Sequence, residues 1–132
     1  VFCVLCFVED AMAFLSFEDL RVFKLAEQLA DEVWEIVYTW GYFEKDTVGK
    51  QVVKAADSIG ANIAEGSGRG LPNDNKRFVR IARGSLNETK YWLRRSIKRG
   101  LIEETQMESI SIILNELAPS LNAYLTSIGQ NT

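Results

Sequence analysis

The sequence predicts an all-α protein, an antiparallel up-down-up-down bundle of four helices. Apolar residues recur at helical spacing in four segments, no segment sustains the alternating pattern of a strand, and the segments are joined by short turns. With 132 residues, 47% of them hydrophobic, the chain suits one domain with a hydrophobic core. We place this domain at residues 16–129.

Helix 1 is predicted to begin after Ser16, which forms a capping-box pattern with Asp19, and to end at Gly41. Its apolar residues fill well over half of the helical wheel, which is wider than the stripe of a surface helix. Because a small bundle cannot cover so wide a face alone, we expect part of helix 1 to lie between subunits.

The other three helices have clear boundary signals. Their predicted bounds are residues 47–65 for helix 2, residues 73–99 for helix 3 and residues 103–128 for helix 4. Asn73 is expected to cap helix 3 and Gly100 to end it. The carboxylate of Glu103 suits the positive N-terminus of helix 4, and Pro119 is expected to bend or break that helix.

Helix 3 separates positive charge from apolar surface. Residues 76–99 hold nine basic residues and one acidic residue, Glu88, whereas the rest of the chain is acidic. At about 100° per residue, six cations fall in a strip about 80° wide. This basic strip consists of Lys76, Arg80, Arg83, Lys90, Arg94 and Lys98, flanked by Arg77, Arg95 and Arg99. The side chains expected on the opposite, buried side are Phe78, Ile81, Ala82, Leu86, Trp92, Leu93 and Ile97.

The basic strip has two interpretations. Its cations are either a solvated face that pairs with acidic helices 1 and 4 of the same or a neighbouring subunit, or a binding surface for phosphates. Like charges four residues apart, such as Lys90 and Arg94, each cost about 0.2–0.5 kcal/mol without a partner. That cost favours a partner, and we expect salt-sensitive binding of nucleic acid with little sequence preference.

The glycine-rich stretch SIGANIAEGSGRG at residues 58–70 is not a nucleotide-binding loop. It follows a helix, its glycine spacing does not match a dinucleotide fingerprint, and the ending of a Walker loop is absent. Gly60 and its small neighbours instead predict a close approach of helix 2 to another helix, with Gly66 as the C-terminal cap.

Polar side chains in and opposite this stretch are interpreted as structural. They are Ser58, Asn62 and Glu65 on helix 2 and Ser85 on helix 3. Because polar groups on a crowded helix need partners, we expect hydrogen bonds from helix 2 to Ser85, Asn87, Arg83 or the backbone of helix 3.

The residue inventory argues against an enzyme. The chain has no histidine, and its two cysteines, Cys3 and Cys6, supply at most two metal ligands, so we expect no metal and no cofactor. Glu65 lacks the partners of a general base. Residues 1–15 are interpreted as an N-terminal extension, disordered or from a mis-assigned start, with Met12 as the natural start. No segment is long enough to span a membrane, and a reducing cytoplasm fits the cysteine usage.

Three stretches in order resemble the four-helix-bundle family of 23S rRNA-intervening-sequence proteins. They are FEDLRVFKLAEQLADEV, SIGANIAEGSGRG and FVRIARGSLNETKYWLRRSIKRGLI, and the resemblance covers residues 16–128. It implies an antiparallel bundle that assembles into a ring-like homopentamer. Its relatives include the accessory protein of diversity-generating retroelements, in which a basic surface engages nucleic acid and a reverse transcriptase. Gly60, Lys90 and Trp92 depart from the residues common at these positions.

The leading hypothesis is therefore a non-enzymatic oligomeric scaffold that binds nucleic acid through helix 3, with RNA as the expected ligand. The alternative is a protein-interaction module whose basic helix docks acidic surfaces of sister subunits or of another protein, without nucleic acid. A reverse transcriptase is an expected partner if the gene lies in a retroelement cassette.

Overall fold

The computed structural model describes residues 16–130, and every regular element in this range is helical. Four long helices carry the fold: α1 (Arg21–Tyr38), α2 (Lys50–Ser67), α3 (Pro72–Lys98) and α4 (Glu104–Ser127). They correspond to predicted helices 1 to 4, so the all-α class is confirmed. The interpretations of Met12, of the two cysteines and of the extension at residues 1–15 fall outside the described residues. The domain bounds 16–129 stay a prediction.

The first helix starts later than predicted. Ser16 accepts a hydrogen bond from the backbone N–H of Glu18 at 3.0 Å, and it caps a single 3-10 turn (Phe17–Asp19). Leu20, in an extended conformation, separates that turn from α1. At the other end the indole N–H of Trp40 donates to the carbonyl of Leu101 at 3.0 Å, which ties the end of α1 to the loop between α3 and α4.

The second helix is preceded by helical turns that the sequence pattern did not indicate. A short turn (Tyr42–Glu44) leads into a π-helical turn (Lys45–Gly49), which continues into α2. Gly49 is buried there, and a Cβ atom on it would lie 2.7 Å from Cγ1 of Val37. The chain therefore turns back against the end of α1 where a glycine permits close contact.

α3 and α4 begin and end close to their predicted bounds, but the N-cap of α3 differs from the predicted one. Leu71, not Asn73, is the N-cap of α3, and Pro72 occupies its first turn, where the missing N–H costs nothing. Gly100 follows α3 with φ of 73°, as the stop signal predicted. Glu103 caps α4 in a capping box with Gln106. α4 runs through Pro119 without the predicted break.

The hydrophobic core lies among the four helices, with the most extensive contact between α2 and α3 and further contacts of α1 with α2 and α4. Fully buried side chains from each helix meet there, among them Leu29, Ile59, Ile63, Val79, Ile110 and Leu117. Each such side chain contributes about 1.5–3 kcal/mol on burial, so this core holds the helices together. Gly66 lies inside α2 and is buried, and Gly68 takes the C-cap position that was predicted for Gly66.

Candidate nucleic-acid interface

α3 faces the core with side chains at alternating three- and four-residue spacing. They are Val79, Ala82, Leu86, Thr89, Leu93 and Ser96. The hydroxyl of Thr89 donates to the carbonyl of Ser85 at 2.8 Å, and that of Ser96 donates to the carbonyl of Trp92 at 2.7 Å. Because these bonds satisfy the hydroxyl groups within the helix, two polar residues occupy core positions.

The buried side of α3 is therefore narrower than the predicted one, and Ile81 and Ile97 lie at the two edges of the predicted arc. Sequence reasoning placed Ile81 and Ile97 in the core, but they are 42% and 44% exposed. It missed Thr89 and Ser96, whose polarity pointed to the surface. Their spacing from Leu86 and Leu93 is the signal that would have placed them.

The basic strip lies on the surface of α3, on the flank nearer α4. Its residues Arg80, Arg83, Lys90, Arg94 and Lys98 are exposed, as are Arg77 and Arg99, while Lys76 and Arg95 are half-buried. On a helical wheel the strip is centred about 110° from the buried residues rather than directly opposite them. The guanidinium of Arg83 accordingly donates to Oδ1 of Asn122 on α4 at 3.4 Å.

No cation of the basic strip forms a salt bridge within residues 16–130. The ion pairs there are Arg21 with Glu116 at 2.6 Å, Lys50 with Asp46 at 3.4 Å and Arg69 with Glu65 at 3.4 Å. Glu88, the acidic residue within this part of α3, accepts a hydrogen bond from the indole of Trp92 at 3.2 Å. Pairing of the strip with carboxylates of the same subunit is thus not observed in the described part of the chain.

The polar residues of α2 find partners in or beside their own helix rather than on α3. Ser58 donates to the carbonyl three residues before it at 2.8 Å, and the side-chain amide of Asn62 donates to the carbonyl of Ser58 at 2.7 Å. Glu65 pairs with Arg69, one turn further on. The expectation that these side chains form hydrogen bonds to α3 is therefore wrong. Ser85 on α3 is half-buried.

A cleft of about 480 Å³ opens between the C-terminal half of α3 and α4. Its apolar walls are Leu93, Ile97, Met107 and Leu114, and its rim carries Lys90, Arg94, Arg95 and Lys98. We call it the α3–α4 cleft. It joins the basic strip to apolar surface, which the wheel of α3 alone did not predict.

A second opening, the aromatic groove, lies between α1 and α2 with a volume of about 760 Å³. It is lined by Trp34, Val37, Tyr38, Val53 and Ala61 among others. Trp34 is 56% exposed and Tyr38 is 69% exposed, although both are large and aromatic. Such an exposed apolar surface is typical of an interaction site. The expectation that part of helix 1 lies between subunits stays a prediction.

The described residues offer little for metal chemistry. Residues 16–130 contain no group of three or more histidine, cysteine, aspartate or glutamate side chains placed to hold a metal ion. None of the helices described in this range combines the length and the hydropathy needed to cross a membrane.

Comparison with known proteins agrees with the resemblance in the sequence. The profile of the family described as 23S rRNA-intervening sequence protein matches residues 18–123. A crystal structure from Bacteroides thetaiotaomicron, described as a protein with unknown function from the S23 ribosomal protein family, has a TM-score of 0.73 and 27% identity. The match covers 80% of this chain and 96% of that chain. No curated protein matches the chain. Neither of these two descriptions names an enzymatic activity.

Proposed function

Since the chain belongs to the family of 23S rRNA-intervening sequence proteins, we propose that it is a non-enzymatic oligomeric scaffold. Its basic strip on α3 is proposed to bind nucleic acid, with RNA as the expected ligand. One observation carries this proposal. Nine basic residues lie between residues 76 and 99 of an otherwise acidic chain, and no carboxylate within residues 16–130 forms an ion pair with them.

Binding would proceed by neutralisation of phosphates. Lys90, Arg94 and Lys98 follow one another at four-residue intervals, so each cation lies about 6 Å further along the helix axis than the last. A nucleic-acid strand along α3 could therefore place successive phosphates against successive cations. Each neutralised phosphate releases counterions, so affinity falls as salt rises. Contacts to phosphate alone carry no base sequence information, which gives binding with little sequence preference.

The decisive experiment reverses three charges of the strip with Arg80→Glu, Arg83→Glu and Arg94→Glu. Binding of a fluorescein-labelled single-stranded RNA is followed by anisotropy between about 50 and about 200 mM salt, the range over which phosphate contacts weaken strongly. We expect the unaltered protein to lose affinity steeply across this range and the variant to bind at least about tenfold more weakly at low salt.

A matched control carries the same change in net charge away from α3. For the single change Arg94→Glu this control is Lys24→Glu on α1, since Lys24 is exposed and lies outside the aromatic groove, and it should reduce affinity only through the overall field. RNA retention that is indifferent to salt, or equal in Arg94→Glu and Lys24→Glu, would contradict the proposal.

The scaffold itself is proposed to be a ring of identical subunits, each with its helices in antiparallel up-down-up-down order. Five subunits follow from the family resemblance, and the exposed side chains of the aromatic groove support a contact between copies. We also propose a cytoplasmic location. Within a retroelement cassette, a reverse transcriptase would be the partner protein.

One observation favours the alternative, a basic helix that docks acidic surfaces. Glu27, Asp31 and Glu35 form an exposed row on α1 at the same four-residue spacing as Lys90, Arg94 and Lys98, and no ion pair within residues 16–130 engages that row. If α3 of one subunit pairs with this row of another, changing Lys90, Arg94 and Lys98 together to glutamate should dissociate the protein in light scattering. Changing Glu27, Asp31 and Glu35 to lysine in the same chain should then restore the oligomer.

A further inference from the structure

The α3–α4 cleft lies directly beside the C-terminal half of the basic strip. We propose that it receives an unstacked base of a single-stranded nucleic acid, while the cations on its rim contact the neighbouring phosphates. This inference rests on the proposed function and narrows it, because it assigns the single-stranded form as the ligand and the apolar walls of the cleft as the second half of the site.

The chemistry of the walls points to a base. The cleft is lined by Ile97 of α3, which is 44% exposed, by Met107 and Leu114 of α4, which are half-buried, and by Leu93, which is buried. A ligand that satisfies only the cations would leave this apolar surface in water. A nucleotide brings both parts, an anionic phosphate and a base with an apolar face that loses water favourably on contact.

The charges on the rim match a polyanion rather than a single anion. Lys90, Arg94 and Lys98 line the cleft on one helix at four-residue intervals, and no carboxylate of residues 16–130 pairs with them. The volume of about 480 Å³ lies within the range of about 300–1,000 Å³ typical of ligand sites. An open strand can therefore lay its backbone along the rim and insert a base between the rim cations and α4.

A duplex cannot use the cleft in this way. Its bases are stacked and paired, so a base enters a side pocket only after that stacking and pairing is lost, at a cost of a few kcal/mol. In single strands the bases can be splayed out and read individually. The site is therefore expected to bind a single strand through both base and phosphates, and a duplex through phosphates alone.

Ile97 and Ile81 give a matched pair of variants that leaves the charges unchanged. Both lie on α3 with similar exposure, 44% and 42%, but only Ile97 lines the α3–α4 cleft. We expect Ile97→Gln to weaken binding of a labelled single-stranded uridine oligomer about tenfold, the scale of one lost base contact. Ile81→Gln should bind as the unaltered protein does. Ile97→Ala, with its high helix propensity, should give the same ranking.

Two further probes separate base contact from charge. Inorganic polyphosphate has no bases, so its affinity should be unchanged by Ile97→Gln, and the salt dependence of RNA binding should keep its slope because the number of phosphate contacts is the same. Binding of an RNA duplex of equal length should be insensitive to Ile97→Gln, because its bases stay stacked and paired.

The outcomes distinguish this inference from the proposed function. Salt-dependent RNA binding that Ile97→Gln leaves unchanged, or a variant that loses polyphosphate and RNA equally, would overturn the base site and keep the basic strip as the binding surface. An equal loss of duplex and single-strand affinity in Ile97→Gln would do the same. Absence of any salt-dependent RNA binding by the unaltered protein would overturn both.

Discussion

A methyl group placed on Gly66 of α2 would lie 2.6 Å from the Oδ1 atom of Asn75 on α3. It would also lie 2.8 Å from Cβ of Phe78 and 3.1 Å from the backbone oxygen of Asn75. Because part of this contact is backbone, it cannot be relieved by turning one side chain. The last turn of α2 and the first turns of α3 therefore meet at a distance that only glycine allows.

Gly66→Ala is expected to destabilise the fold. Forcing a methyl group into a packed contact typically costs about 1–3 kcal/mol. That cost should exceed the gain of up to about 1 kcal/mol from replacing glycine by alanine within a helix. Urea unfolding followed by circular dichroism measures the net change, which should be a lower midpoint at an unchanged slope.

Gly84→Ala is the matched control on α3. A Cβ atom there would meet nothing within 4 Å, and its backbone does not require positive φ. We expect the variant to be about 0.5–1 kcal/mol more stable than the unaltered protein. If Gly66→Ala and Gly84→Ala both raise stability, the close contact of α2 with α3 is not the constraint described above.

The four helices were predictable from the sequence because their apolar spacing is long and regular. The buried side of α3 was predictable only in part, since hydroxyl groups that bond to the preceding turn behave in a core like small apolar groups. Thr89 and Ser96 therefore lie in the core, whereas Ile81 and Ile97, at the two edges of the predicted apolar arc, are exposed.

The candidate site could likewise be predicted from the sequence only in part. Exposure of the strip cations could be predicted, because burying an unpaired charge is costly. The α3–α4 cleft could not, since it forms only where Met107 and Leu114 of α4 meet α3 in space. The role of Gly66 was also missed, because a glycine near a helix end is more often a cap than a contact point.

The aromatic groove gives a prediction about assembly. Changing Trp34 and Tyr38 together to glutamine should shift the protein to smaller species in light scattering, because it removes the exposed apolar surface available to a second copy. Ile112→Gln on α4 is the control, since Ile112 is 71% exposed and does not line the groove. An unchanged mass for the Trp34 and Tyr38 variant would exclude the groove as the contact between subunits.

Pro119 gives a prediction about α4. Proline has no N–H, so within the helix the carbonyl of Asn115 lacks its usual partner, and the proline ring crowds that carbonyl. Pro119 is exposed, so Pro119→Ala should raise the stability by about 1–2 kcal/mol. This is less than the full helix penalty of about 3 kcal/mol, because proline also restricts the unfolded chain.

Glu108→Ala, an exposed change in the same helix, should have a much smaller effect, since glutamate and alanine are both good helix formers. Equal stability of Pro119→Ala and the unaltered protein would mean that α4 already accommodates the proline without strain.

Asp57 gives a prediction about pH. Burial disfavours the charged carboxylate and the charge of Asp31 repels it, so the pKa of Asp57 is raised above its ordinary value of 3.8. Between 3.8 and the raised pKa the folded state holds more protons than the unfolded state, so the contribution of Asp57 to stability falls as pH rises through this window.

Asp57→Asn should therefore be more stable than the unaltered protein at neutral pH, and the difference should vanish as pH falls below 3.8. The burial of Asp57 is only partial and the residue is exposed overall, so solvent screens its charge. The gain should therefore stay below about 1 kcal/mol. Asp31→Asn should give a smaller gain in the same pH window, since it removes the repulsion but not the burial. Paired urea titrations from acid to neutral pH measure both differences, and a gain for Asp57→Asn that persists unchanged at acid pH would show that the carboxylate charge is not its cause.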